Sequence, residues 1–454
     1  PWPDATRLIG WGIGPPGHGA HPPAPQQEAP PVDLPWRLLL QRVRAGGPNE
    51  RLGLVQAQHI FGRRGTSREL IQGGLLRVRI PAILMRYGED GWRHDRFPDL
   101  WWMEALRRLG VPFKAVVELW PRYTDEQHAA HATRLVRHAR PDVVIIGNEL
   151  NAIDRPGVDT AAAIERYLNR YEVMHAAIKA MSPTTRVQLY GEAYYGEPVD
   201  PEAFLRHVLA ALRRRGLPPP DLAGMHVYDR AEVIPARVAG YRRLLGEYGL
   251  RIPLSVEELG LRQGVIERRH ETRLAGRSAE DGEAYPHRLA ELRAHGWLTE
   301  AEQAELVAQH LATAAATADQ AQIFCAIDFD AERDRRRGLM SGVYDRARPA
   351  LATFRFMQRL LNDLAEAHLR PATEHDGVTT VTVTRRDGLT AQVCWSAPVG
   401  EEPMAPARTL AVPPYTFVCD TRGQLVQPPQ ARATTLLLPA ATTAEAGGAV
   451  RILL

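Results

Sequence analysis

Between about residue 51 and residue 365 strand-like and helix-like segments alternate, and this alternation restricts the fold more than any other feature of the chain. Strand candidates lie at 52–58, 75–80, 113–118, 142–147, 186–191, 223–228, 252–257 and 322–328. Amphipathic helix candidates at 99–109, 125–140, 160–181, 201–215, 235–248 and 301–319 fall between them. Strands that each hand over to a helix build a parallel sheet, because a parallel neighbour needs a crossover. Eight such units in about 300 residues close a (β/α)8 barrel. The open doubly wound sheet is the rival, but it carries a glycine-rich phosphate loop after its first strand. Here the first strand leads into His59-Ile60-Phe61-Gly62-Arg63-Arg64-Gly65, which lacks that pattern.

The texture changes on either side of this region. Residues 1–50 are read as an N-terminal arm, since 12–35 are rich in Pro and Gly and without periodicity. The barrel is expected over 51–368. From 369 to 454 short alternating runs separated by turn residues, such as Val378-Thr379-Thr380-Val381-Thr382-Val383 and Ala391-Gln392-Val393-Cys394-Trp395, predict a small antiparallel β-sandwich.

Composition removes several function classes. The formal charge of +3 is spread over interspersed acids and bases, with no basic stripe, which argues against nucleic acid. No apolar run approaches the roughly 20 residues of a membrane span. Three cysteines exclude a disulfide scaffold and a four-thiolate zinc site; Cys394 and Cys419 could pair, or stay as buried thiols. No cluster with ligand spacing predicts a metal, and no motif predicts a cofactor. The chain begins at Pro1 rather than methionine, which leaves a removed leader open; secretion is the expectation. Oligomeric state is not readable.

Val143-Val144-Ile145-Ile146 reads as a strand buried on both faces, and it ends on Gly147-Asn148-Glu149. A carboxylate there costs free energy unless it is solvated, paired or used. The chain has only five asparagines, and two of them, Asn148 and Asn151, flank Glu149. A second run, 252–256, ends in Glu257-Glu258-Leu259-Gly260. Barrel active sites lie at the C-terminal ends of the strands. Two acids at two such ends suggest the paired carboxylates of glycoside hydrolysis. The same rim includes Arg79, Glu118, Trp120, Glu192, Tyr194, Tyr195, His226, Tyr228 and Asp328. Acids, amides and aromatic faces together suit a sugar.

With these residues the chain resembles the superfamily of retaining glycoside hydrolases built on a (β/α)8 barrel. The resemblance rests on Asn148-Glu149 after the fourth strand, His226-Val227-Tyr228 on the sixth, Glu258-Leu259-Gly260 on the seventh and Arg79 on the second. It implies that Glu149 is the acid/base and Glu258 the nucleophile, with Arg79 and Tyr228 keeping Glu258 ionised. Asn148, Arg79, His226, Tyr228, Trp120 and Tyr194 would bind substrate, an oligo- or polysaccharide. A one-residue slip would instead turn Glu257 inward. Asp328 departs from the pattern, since many relatives carry a tryptophan at the end of the eighth strand. The charged stretch 261–298 after the seventh strand is expected to border the cleft. The alternative reading is a barrel of the same descent that binds carbohydrate or a protein without turnover.

Overall fold

The computed structural model describes residues 33–44, 49–56, 75–80, 113–117, 119, 123–150, 160–194, 201–261, 264–266, 290–326, 337–341, 346–444 and 446–454. Parallel strands β1 (Leu52–Gln56), β2 (Leu75–Ile80), β3 (Phe113–Val117), β4 (Val143–Ile146), β5 (Arg186–Tyr194), β6 (Leu222–Val227) and β7 (Leu254–Gly260) follow one another around a closed barrel. After two short strands, β8 (Val265–Ile266) and β9 (Leu298–Thr299), comes β10 (Gln320–Phe324), which pairs with both β7 and β1 and shuts it. The predicted (β/α)8 architecture is therefore the observed one.

Side-chain alternation along the strands separates two cores. Val144, Ile146, Val187, Leu189, Ala223, Met225, Val256 and Ile323 point outward and pack with helix residues such as Leu135, Leu168, Leu205, Tyr241 and Leu311. Val116, Val143, Ile145 and Leu222 form a small separate apolar cluster inside the barrel. The helices begin where local chemistry allows. Thr124 and Thr299 each accept from the third helical N–H, while Gln127 and Glu302 reach back to the capping N–H. Helix Asp125–Ala139 stops at Arg140 in the left-handed region.

Two bulges, one in β5 and one in β7, break the regular pairing of the barrel strands. Between β5 and β6, Gln188 faces Leu222 but Gly191 faces Gly224, so β5 carries one extra residue. Between β6 and β7, Met225 faces Val256 but His226 faces Glu258, which makes Glu257 the extra residue of β7. A bulge of this kind re-aims the side chains that follow it.

After a two-stranded ribbon, β11 (Met340–Ser341) and β12 (Arg346–Ala347), the C-terminal domain is a six-stranded antiparallel sheet: β13 (Leu364–Arg370), β14 (Val378–Arg385), β15 (Thr390–Ser396), β17 (Val418–Cys419), β18 (Leu425–Gln427) and β20 (Arg451–Leu453). One face carries Val381, Val393, Trp395 and Ile452 into the barrel's core; the other packs Val378, Cys394 and Leu453 against the ribbon of β16 (Arg408–Val412) and β19 (Thr434–Leu438). This is the predicted sandwich, although β13 starts a few residues before 369. Within the expected arm, Asp33–Arg44 is a helix whose Trp36 stacks on Phe417 at 5.4 Å. The pairing left open for Cys394 and Cys419 does not occur. β20 lies between their strands, so they sit two strand spacings apart, about 10 Å, beyond the roughly 7 Å a bridge can span. They also face opposite cores. Among the described residues no helix is long and apolar enough to cross a membrane.

Candidate active site

Glu149 follows β4 through a turn with two residues in the left-handed region, Gly147 at φ 90° and Glu149 itself at φ 47°. A non-glycine residue at positive φ is disfavoured and persists only where its surroundings hold it. Here the Gly147 amide donates to Val117 O at 2.8 Å and the Glu149 amide to Gly191 O at 3.1 Å, so both neighbouring strands fix the turn. The Tyr167 hydroxyl adds a bond to Ile146 O at 3.2 Å. The carboxyl reaches inward, and its Oε1 shares a 2.7 Å hydrogen bond with His226 Nδ1.

Glu258 arrives from the other side. Its Oε2 lies 3.5 Å from the same His226 Nδ1 and accepts a hydrogen bond from the Tyr228 hydroxyl. The Glu258 side chain is 1% exposed and that of Glu149 18%. One oxygen of each carboxyl and the imidazole nitrogen all lie within 4.8 Å of one another. Among the described residues no other trio of acid, imidazole or thiol groups is gathered closely enough to hold a metal ion. Tyr228 is fixed by an edge-to-face contact with Phe324 at 5.6 Å and by Arg337, whose guanidinium sits 4.8 Å from its ring centroid.

Glu257 is not an alternative to Glu258 at the same place. The bulge turns both acids inward at different depths, with Glu257 lower in the barrel. It accepts from Gln188 Nε2 and lies 3.8 Å from Lys114 Nζ; both charged side chains are 0% exposed. Lys114 also donates to Ser255 Oγ at 2.8 Å, and Ser255 donates to Gln322 Oε1 at 3.2 Å. Two glycines make the room. A Cβ on Gly224 would come within 2.4 Å of Gln188 Nε2 and 2.6 Å of Glu257 Cδ, and one on Gly191 within 2.2 Å of His226 Nε2.

The structure thus brings the candidates Glu149, Glu258, His226 and Tyr228 into one cluster, with Asn148 beside Glu149 on the same turn. Glu192 is not in it. The β5 bulge sends it to the outer face, where it accepts at 2.5 Å from the Tyr190 hydroxyl, whose ring packs on Phe204 of the helical layer. Burial raises the Tyr190 pKa well above its ordinary value, and the adjacent carboxylate adds to this. The backbone of Arg79 pairs with Val116 and that of Tyr194 with Val227. Their side chains, with Glu118, Trp120, Tyr195, Asp328 and most of 261–298, lie outside the described residues.

Sequence reasoning missed the supporting set of Lys114, Gln188 and Arg337. One signal was available: a chain with only two lysines spends one of them inside Phe113-Lys114-Ala115-Val116-Val117, an otherwise apolar strand. The sandwich also reaches toward the site. Trp395 Nε1 donates to Glu232 Oε1 at 2.9 Å, in the turn just after Tyr228. His310, held neutral by burial with a pKa near 4, bonds through Nε2 to Asp229 O at 2.8 Å in the same turn.

The closed parallel barrel with a C-terminal sheet domain is a fold that this chain shares with solved glycoside hydrolases. A family 39 glycoside hydrolase from Bacteroides cellulosilyticus WH2 is similar over 90% of this chain and 81% of its own, with a TM-score of 0.58 and 12% identity. A glucosidase from Croceicoccus marinus is similar over 90% of this chain and 97% of its own, at TM-score 0.57 and 11% identity. A GH30 endoxylanase from Clostridium papyrosolvens C71 gives 0.53 and 12% over the same shares. At these identities the likeness is one of fold. No model of a known family matches the sequence, and no curated protein matches it.

Proposed function

We infer that this chain is a retaining glycoside hydrolase acting on an oligo- or polysaccharide, with Glu149 as acid/base and Glu258 as nucleophile. The observation that supports the reading is the approach of one oxygen of each carboxyl to within 4.8 Å of the other at the ends of β4 and β7. Retaining enzymes hold their carboxyls about 5–5.5 Å apart, whereas inversion needs roughly 6.5–9.5 Å to admit a water between acid and sugar. The neighbours named above are glycoside hydrolases by description, which agrees with the class but not with any one sugar.

In this mechanism a Glu258 oxygen attacks the anomeric carbon while the glycosidic C–O bond breaks. Glu149 gives its proton to the departing oxygen. Water then attacks the glycosyl-enzyme, Glu149 takes the water's proton, and the bond to Glu258 is released. The Tyr228 hydroxyl, donating to Glu258 Oε2, stabilises the carboxylate form and fixes its orientation. Asn148, next to the acid, would bond the hydroxyl adjacent to the anomeric carbon in this reading. Arg79, Trp120 and Tyr194 complete the substrate contacts in this reading. Secretion, toward a polymer outside the cell, fits the same function.

The test is a panel of aryl glycosides with the anomer of the first product read by proton NMR. Retention, together with loss of turnover in Glu258→Gln and azide rescue of Glu149→Ala, is the expected result. An inverted first product would overturn the mechanism. Sugar binding without turnover across the panel would turn the reading into that of a carbohydrate-binding barrel.

A further inference from the structure

The Tyr228 hydroxyl donates to Glu258, yet Tyr228 stands one residue past Val227, the last paired residue of β6. Beyond it the chain runs through Asp229, Arg230 and the 3-10 turn Ala231–Val233 into the helix Ile234–Glu247. Arg230, at the start of that turn, gives it no side-chain cap. Support comes instead from distant parts of the chain. His310, on the helix Glu300–Thr317, bonds through Nε2 to Asp229 O at 2.8 Å. A carbonyl only accepts, so that nitrogen carries the proton. Trp395, on β15 of the sandwich, donates from Nε1 to Glu232 Oε1 at 2.9 Å. Both His310 and Trp395 are fully buried.

The two supports are tied to each other. Gln309, next to His310, donates to Gly448 O at 2.9 Å and accepts from Gly447 N at 3.2 Å. Gly448 N donates in turn to Ser396 O at 2.8 Å, one residue from Trp395. The same helix steadies another side of Tyr228. Gln303 donates to the carbonyls of Arg337 and Gly338 at 3.0 Å each, and the Arg337 guanidinium sits 4.8 Å from the Tyr228 ring centroid. A buried indole N–H needs an acceptor. Here the acceptor lies outside the sandwich, in the barrel turn that follows Tyr228. Adhesion of the two domains does not require it, because Val381, Val393 and Ile452 already carry the sandwich into the barrel's core.

We propose that Trp395 is a positioning residue for the nucleophile: through Glu232, and together with His310, the sandwich holds the turn after Tyr228 and so keeps the Tyr228 hydroxyl on Glu258. Trp395 and Glu232 act through Tyr228 and not on the sugar. The proposal rests on the reading of Glu258 as the nucleophile. It makes the sandwich a part of the active site's framework, as a rigid support for a group that must be held in a narrow geometry.

The first measurement needs no turnover. The full chain is labelled with tyrosine carrying ¹³C at Cζ, and the Tyr228 signal is assigned by its loss in Tyr228→Phe. Trp395→Phe keeps an aromatic ring in the core and removes the indole N–H. It is expected to move the Tyr228 signal and to leave those of Tyr167 and Tyr171, on the helix Thr160–Met181, in place. An unmoved Tyr228 signal overturns the proposal, and so does equal movement of all three, which reports general loosening. Glu232→Met breaks the same bond from the barrel side and is expected to give the same shift, which keeps the test open where Trp395→Phe does not fold. Glu232→Gln retains an acceptor oxygen and is expected to restore the parent signal. The second measurement is a double-mutant cycle in kcat/KM on a dinitrophenyl glycoside. Trp395→Phe is expected to lower it about 10-fold, within the roughly 100-fold that a misplacement of about 1 Å costs. In the Tyr228→Phe background the same change is expected to cost nothing further, because the hydroxyl it positions is gone. Equal losses in both backgrounds mean that Trp395 only supports the fold, and overturn the proposal while the hydrolase reading stands. A parent protein that cleaves no glycoside removes the hydrolase reading, and the tyrosine spectrum still decides whether the sandwich holds Tyr228.

Discussion

Lys114→Met should be one of the most destabilising substitutions in this barrel, and the pair it breaks lets the cost be estimated. The methionine keeps the length of the stem and removes the charge. Glu257 then stays fully buried without its cation. At 3.8 Å the lost attraction is about 4 kcal/mol with an effective dielectric near 20. The bond to Ser255 Oγ is worth about 1 kcal/mol more. Relief of the lysine's own desolvation offsets part of this, so a net loss of about 3–5 kcal/mol is expected, as for other buried pairs broken on one side. For one cooperative unit of 454 residues the entropy of unfolding is roughly 950 cal/mol/K, which turns that loss into about 3–5 °C of melting temperature.

The assay is a double-mutant cycle by chemical denaturation and calorimetry on Lys114→Met, Glu257→Gln and the double variant. In the double variant no charge is left unpaired. It should therefore recover about 2–3 kcal/mol relative to the sum of the singles. Additive losses, or a Lys114→Met cost below about 1 kcal/mol, would show that the two groups do not act as a pair and would sink the reasoning.

Other expectations follow from single contacts. Gly224→Ala puts a Cβ 2.4 Å from Gln188 Nε2 and 2.6 Å from Glu257 Cδ, both fixed in the buried network, and should cost about 1–3 kcal/mol in a urea titration; an unchanged midpoint would mean the network yields freely. Thr299→Ala removes the cap of the helix Glu300–Thr317 and should lower stability by about 1 kcal/mol with the denaturant slope unchanged. Glu305, packed under the C-terminal segment where Val450 N–H donates to its Oε2 at 2.7 Å, has its pKa pushed up to about 7, chiefly by burial. Its folded pKa is raised above the unfolded value, so the folded state binds more protons between about pH 4.5 and 7, and the contribution to stability is lost as pH rises through that window. Glu305→Gln should consequently melt higher than the parent at pH 8, by about 1–2 kcal/mol after screening, and equally at pH 4; a lower melting point at pH 8 would contradict the burial argument.

How far the site could be read from the sequence depends on what each residue's position rests on. The barrel was legible because its strands are short, mostly apolar runs and its helices are amphipathic, so period and length separate the two. Helix limits such as 160–181 coincide with the structure. Glu149 and Glu258 were legible for a related reason, as charges that end apolar runs. Glu192 misled the reading because plain alternation from Gln188 does not allow for a residue inserted into β5. The choice between Glu257 and Glu258 was incomplete: Glu258 does lie beside His226 and Tyr228, but the β7 bulge turns Glu257 inward as well.

Neither bulge has a sequence signature of its own, because each depends on what lies across the barrel. Room for Glu257 exists only because Gly191 and Gly224, on β5 and β6, carry no Cβ, and its charge is tolerated only because Lys114 arrives from β3. These residues span some 140 positions of the chain and meet only once the barrel has closed. The end of a strand tells where a catalytic acid can stand. The lumen beneath it, assembled from β3, β5, β6, β7 and β10, decides what polar groups lie under that acid. A sequence reading confined to strand ends therefore finds the paired carboxylates and misses the buried polar groups beneath them. In this chain the lysine inside the otherwise apolar β3 was a local sign that the lumen is polar.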